Sequence, residues 1–347
     1  MRRRSLVASV IVAVLGAGLL AGTASADPLL PFLPDPDTGE FAPLDQDGPD
    51  LSIPDDVLAA SLHCSVPLDD LGDAEADPVL LLSGTTLDPP ENFGWNYEPA
   101  LTAAGIPWCT STSPGRNMAD VQVRGEYVVY AIRTMAGHAD RDVALLGHSQ
   151  GGMVGRWALR FWPDTRDLVS DVVGLAPSND GTLAAVGVCA PTCAPSFWQQ
   201  RTGSAFLAAL NSGRQTFPGV DYTAVYTLTD EVVTPQPAGS DLADDGGDVT
   251  NVALQDVCPA HPADHLSTGT SDAVAWALTL DALTHDGPAD PGRIDPSVCL
   301  APFMPGVNPV TFPTDFAHAA AILADSAALY PHTPAEPPLA RYVRPQA

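Results

Sequence analysis

Gly147-His148-Ser149-Gln150-Gly151 is the segment of this chain whose residue types and spacing are best suited to chemistry. Glycines two residues before and two after a serine fit a tight strand-to-helix turn, where side chains at those positions would meet neighbouring backbone. Such a turn lifts the hydroxyl above a sheet at a helix N-terminus, where free N–H groups and the dipole favour developing negative charge. A serine hydroxyl is a weak nucleophile alone, so a histidine base and an orienting carboxylate must accompany it. In this kind of fold the acid follows the serine and the histidine follows the acid. Five histidines follow Ser149: His261, His265, His285, His318 and His332. Acids are numerous, but Thr229-Asp230-Glu231 directly follows the apolar stretch Tyr222–Leu228. The carboxyl end of a strand is where open sheets place their sites, which favours Asp230. His261 and His265 share a loop before a helical stretch, and spacing does not separate them. The chemistry implied is nucleophilic attack on an acyl group, with no metal and no organic cofactor.

The elements that must position these groups alternate along the chain. Pro78–Leu82 and Val143–Leu146 are short, wholly apolar runs, as expected of parallel strands buried on both faces. Further strands are expected at Ile106–Thr110, Leu168–Leu175 and Tyr222–Leu228. Helical spacing or composition marks Val121–Met135, Gly152–Phe161, Ala205–Leu210 and Ser271–Leu283. The alternation predicts an α/β domain with a mainly parallel central sheet and helices on both faces.

The 347 residues carry a formal net charge of −27, with 42 acidic side chains against 15 arginines and no lysine. That field repels phosphate backbones, so nucleic-acid binding is not expected. Arg2-Arg3-Arg4, an apolar run over 6–22 and Ala24-Ser25-Ala26 have the form of a secretory signal peptide over residues 1–26. Residues 27–57, rich in proline and aspartate, read as an extended leader, propeptide or belt, and 58–347 as the catalytic domain. Six cysteines in an exported chain suggest three disulfides in any of 15 pairings. The close pair Cys189 and Cys193 lacks neighbours to complete a zinc site and reads as a small disulfide loop. The acidic run 241–248 departs from calcium-loop spacing and reads as a solvated turn.

Several stretches resemble the Candida antarctica lipase B-like family of α/β-hydrolases. They are Leu82-Ser83-Gly84-Thr85-Thr86, Ser149-Gln150-Gly151-Gly152, Ala194-Pro195-Ser196-Phe197-Trp198-Gln199-Gln200 with Thr202-Gly203-Ser204, Thr229-Asp230-Glu231-Val232-Val233, and Asp264-His265. They occur in the family's order, over residues 58 to 344. The resemblance implies Ser149 as nucleophile, Asp230 as acid, His265 as base, and Thr85 and Gln150 as oxyanion-hole residues. It implies disulfides Cys64–Cys109 and Cys258–Cys299, leaving Cys189–Cys193 as a pair particular to this chain. His148 stands where the family has a tryptophan in its alcohol-side pocket, Ser178 where it has an active-site aspartate, and Gln200 at an acyl-side glutamine. The segment 182–195 corresponds to an entrance helix. The expected activity is that of a secreted serine lipase or carboxylesterase, monomeric, on small ester or lipid substrates with transient contact to lipid interfaces. An amidase or peptidase on the same groups and a non-catalytic, hydrolase-like binding protein are the alternatives.

Overall fold

Strands buried on both faces need apolar residues throughout, and such runs form the centre of the molecule. The computed structural model describes residues 39–346. The expected signal peptide and the start of the expected leader lie outside the described residues. Seven described strands form one sheet: β1 Leu62–Cys64, β2 Val79–Leu82, β3 Trp108–Ser111, β4 Val143–His148, β5 Val169–Leu175, β6 Asp221–Tyr226 and β7 Val249–Ala253. Their order is β1-β3-β2-β4-β5-β6-β7, with β1 antiparallel to β3 and every other pair parallel.

The helices are α1 Asp55–Ser61, α2 Pro89–Asn92, α3 Tyr97–Ala103, α4 Val121–Ala139, α5 Gln150–Phe161 and α6 Ala184–Val188. They continue as α7 Pro195–Gln199, α8 Ala205–Leu210, α9 Leu254–Val257, α10 His265–Thr268, α11 Ala273–Thr284 and α12 Phe312–Leu329. Alternate strand residues serve opposite faces. Leu80, Leu82, Val143 and Leu145 pack with α4, α5 and α8, while Val79, Leu81, Ala144 and Leu146 pack with α3 and α11. This is the expected α/β architecture.

The strands β1 and β7, the long helix α12 and the short helices α1, α2, α3, α7, α9 and α10 were not anticipated. β1 is only three residues long, and its Cys64 pairs in register with Cys109 of β3, the two joined by a disulfide. β7 is an edge strand after the acidic turn. Helix α12 is rich in alanine on all sides and fully buries only Ala319, so no single apolar stripe announces it. The strand expected from Ile106 starts instead at Trp108, because Pro107 has no N–H to give a ladder. The other disulfides are Cys258–Cys299 and Cys189–Cys193.

The boundary expected at residue 58 is crossed by structure. From 39 to 54 the chain is a belt without ladder partners, satisfied by side chains of the domain. Arg160 and Arg166 donate to the carbonyls of Ala42 and Leu44, Trp162 to that of Pro49, and the Glu126 carboxylate accepts from Ser52. Ala42 itself joins the core cluster beside α5.

The chain passes from β2 to β3 on one side and returns to β4 on the other, so the direction of strand addition reverses between β2 and β4. Loops leaving the carboxyl ends of those two strands therefore diverge and open a crevice.

Candidate active site

The turn between β4 and α5 holds Ser149 at φ 56°, ψ −122°, a left-handed conformation rare for a side-chain-bearing residue. A Cβ on Gly147 would lie 2.2 Å from the Gly151 carbonyl carbon, and one on Gly151 1.9 Å from the Leu82 carbonyl oxygen. Both positions must therefore be glycine for the turn to close. The strain is held by the strands on either side, the Ser149 N–H donating to Leu175 O at 2.8 Å.

Asp230 lies in the turn after β6 and is buried. Its Oδ1 accepts the N–H groups of Val232 and Val233, each at 2.8 Å. Its Oδ2 is left for His265, whose Nδ1 donates across 2.9 Å. That bond sets the tautomer and leaves Nε2 with its lone pair. The His265 N–H donates to Glu231 Oε2 at 3.2 Å, a support the sequence reading did not foresee. Burial alone would pull the His265 imidazole down, but Asp230, the hydrogen bond to it, Glu231 and Asp264 together hold it above its usual value of 6.5. Burial pushes Asp230 up, yet His265 and the two backbone donors keep its carboxyl below the ordinary 3.8.

Ser149 and His265 line one cavity. The Ser149 hydroxyl makes no hydrogen bond among the described residues; contacts of this kind commonly tighten only when a reactant is bound. His261, left open by spacing, bonds instead to the carboxylate of Asp272, which caps α11, and it does not line the cavity.

The loop after β2 brings Thr85 to the same cavity. Neither the Thr85 N–H nor the Gln150 N–H has an acceptor among the described residues. Thr85 Oγ1 accepts from Gln150 Nε2 at 3.1 Å and from Gln200 Nε2 at 2.9 Å. The Gln150 amide donates also to Asn117 O and accepts from Arg124, so its orientation is fixed from both ends. Gln150 itself does not line the cavity, but a free N–H on each of the two loops is what stabilising negative charge beside a serine requires.

His148 lines the cavity with its ring centre 5.0 Å from that of His265. Its Nε2 lies 3.2 Å from His265 O and its Nδ1 3.1 Å from Asn92 Oδ1. Burial, with the His265 ring beside it, pulls His148 down to about 3, so it is neutral and donates from one nitrogen only. Gln200 lines the cavity as expected. Ser178 does not: it is buried behind Gln200 and donates to its Oε1 at 3.1 Å, its short side chain spent on that bond. The apolar wall comes from Leu87, Ala185, Phe197, Val232, Val233 and Leu323, which no local pattern marked. Ala185 belongs to α6, inside the anticipated entrance segment, and Leu323 to the unanticipated α12.

No protein-family model matches the chain. It is 34% identical to Lipase B of Pseudozyma antarctica over 343 residues, covering 95% of this chain and 94% of that protein. The crystal structure of Aspergillus fumigatus lipase B superposes with a TM-score of 0.78 at 30% identity, covering 90% of this chain and 77% of that one. A Bacillus licheniformis lipase, BlEst2, in its propeptide form shares the fold at a TM-score of 0.51 and 16% identity, covering 66% of this chain and 54% of that one.

Proposed function

The chain belongs to the lipase B family of α/β-hydrolases, and on that premise we propose that it is a secreted carboxylic ester hydrolase of the lipase type acting through an acyl-enzyme. The observation that carries the mechanism is the 2.9 Å link between Asp230 and His265, on a cavity that His265 shares with Ser149 and Thr85, the N–H groups of Thr85 and of Gln150 directly after the serine both being unclaimed.

Ser149 Oγ attacks the ester carbonyl carbon while its proton passes to His265 Nε2. Asp230 keeps the ring oriented and stabilises its cationic form. The carbonyl oxygen becomes an oxyanion received by the N–H groups of Thr85 and Gln150. Thr85 Oγ1 accepts two N–H bonds and donates its own proton to Gln200 Oε1 at 3.3 Å, a bond it would exchange for one to the oxyanion. Collapse expels the alcohol, which takes the proton from His265. A water then gives its proton to His265, attacks the acyl carbon, and the second collapse frees the acid and restores Ser149. One chain supplies every group, so a monomer suffices.

The apolar wall fits an acyl chain rather than a charged one. The helices that contribute Ala185 and Leu323 also expose Val188 and Leu329, at 55% and 81%, which supports transient contact with a lipid surface near the entrance. With a net charge of −27, neutral surfaces are favoured over anionic ones. Three disulfides among the described cysteines suit an oxidising exterior.

Labelling by a fluorophosphonate and turnover of p-nitrophenyl esters test the proposal. Both should vanish in Ser149→Ala with an unchanged circular dichroism spectrum. Full activity in that variant, or faster hydrolysis of a matched anilide than of the ester, refutes it.

A further inference from the structure

We propose that Arg124 is a positioning residue for the oxyanion site, bracing both of its loops and setting an unneutralised positive charge behind them. The inference rests on the esterase reading above. Arg124 projects from α4 and is 4% exposed. Its two terminal nitrogens donate to Gln150 Oε1 and to Ser83 O, the latter at 2.7 Å. Gln150 carries one of the free N–H groups, and Ser83 stands two residues before Thr85, which carries the other. With its Oε1 held by Arg124, the Gln150 amide directs Nε2 to Thr85 Oγ1. One guanidinium thus locks the turn after β4 to the loop after β2. The planar fork makes this possible; an ammonium group would reach the same two acceptors less well.

The charge needs its own account. Among the described residues no carboxylate lies within ion-pair distance of Arg124. Asp88, whose charge reaches it, is paired with Arg116 at 3.5 Å. A buried cation without a counter-ion is expensive to keep. The negative charge that would answer it forms only when a substrate carbonyl becomes an oxyanion, so the benefit falls on the transition state more than on the ground state.

The test uses Arg124→Met and Arg124→Lys in the full chain. Turnover is measured on p-nitrophenyl butyrate, and inhibition with an alkyl trifluoromethyl ketone. Ser149 Oγ adds to that ketone while its proton passes to His265, giving a charged hemiketal oxygen without a leaving group. Arg124→Met should lower kcat about 100-fold, the typical loss for one oxyanion donor, with KM within about threefold. Its affinity for the ketone should fall in parallel. Arg124→Lys should stand between the two in both measures, because charge survives and the fork does not. Unchanged kcat in both variants, or a loss confined to KM, overturns the proposal. Should Arg124→Met not fold, Arg124→Lys decides alone: reduced kcat and ketone affinity at constant KM support it, and unchanged values overturn it. Absence of hydrolysis and fluorophosphonate labelling in the unsubstituted protein would remove the esterase reading, and this one with it. Normal hydrolysis there with unimpaired variants removes this one alone.

Discussion

Replacing Asp230 with asparagine changes one atom, and the hydrogen bonds around it dictate which atom His265 then meets. Oδ1 is held by two N–H donors, from Val232 and Val233, so the amide oxygen must occupy that side. The NH2 group is therefore turned toward His265 Nδ1, where a donor now faces what had been a donor. Imidazole responds by placing its hydrogen on Nε2, the nitrogen that should take the proton of Ser149. The fold is kept, and the base is lost. In a serine triad this wrong-tautomer penalty is about 10⁴ in rate, which at 1.36 kcal/mol per tenfold is about 5 kcal/mol of transition-state stabilisation. Steady-state kcat/KM on p-nitrophenyl butyrate near pH 8, with near-ultraviolet circular dichroism as a control for folding, gives the number directly. Fluorophosphonate labelling should slow by a similar factor, because it draws on the same base. A folded Asp230→Asn variant within tenfold of the unsubstituted protein would mean that the Asp230–His265 bond does not operate in the reaction.

Two further outcomes follow from the ionisable groups. His265 must be neutral to accept a proton, and its surroundings hold it above 6.5, so kcat/KM should rise with pH through a midpoint above 6.5. Glu231→Gln removes one of the charges holding it up and should lower that midpoint; a midpoint below 6.5, or an upward move, counts against the assignment. At the opposite end of the strands, Asp171 of β5 and its register partner Asp221 of β6 border an acidic cavity that also includes Glu75 and Asp77. Burial pushes Asp171 up to about 7, and the charges of Asp221 and Asp77 add to it. Its folded pKa lies above the unfolded 3.8, so the stability it contributes is complete below 3.8 and is lost as pH rises through about 7. Asp171→Asn should therefore raise the unfolding free energy obtained from urea titration at pH 9, by on the order of 4 kcal/mol, and leave it nearly unmoved at pH 4. Equal shifts at both pH values would refute the assignment.

The parts of the site that sequence made legible are those whose geometry is local. Ser149 could be read because the turn imposes a steric pattern within five residues, and the apolar runs on either side locate it between a strand and a helix. Asp230 was favoured by its place after an apolar run. The choice between His261 and His265 was open to local reading, since which loop histidine meets the carboxylate depends on how the loop packs against the end of β6; family likeness pointed to His265. Ser178 was misplaced on the cavity wall because a likeness assigns positions, not depth, and the hydroxyl lies one layer back. Arg124 gave no signal, since a charged residue on a helix ordinarily faces water.

The α/β architecture and the strained serine were determined by sequence alone, because periodic burial and steric exclusion act between near neighbours in the chain. The rest was decided by the tertiary structure. The belt over residues 39–54, the apolar wall reached by Leu323, the Gln200–Thr85 bond between residues 115 apart and the Arg124 brace join segments whose separation carries no local imprint. Such contacts exist only once the sheet has set the spacing of its loops, since a hydrogen bond selects for distance and direction in space and not for position along the chain.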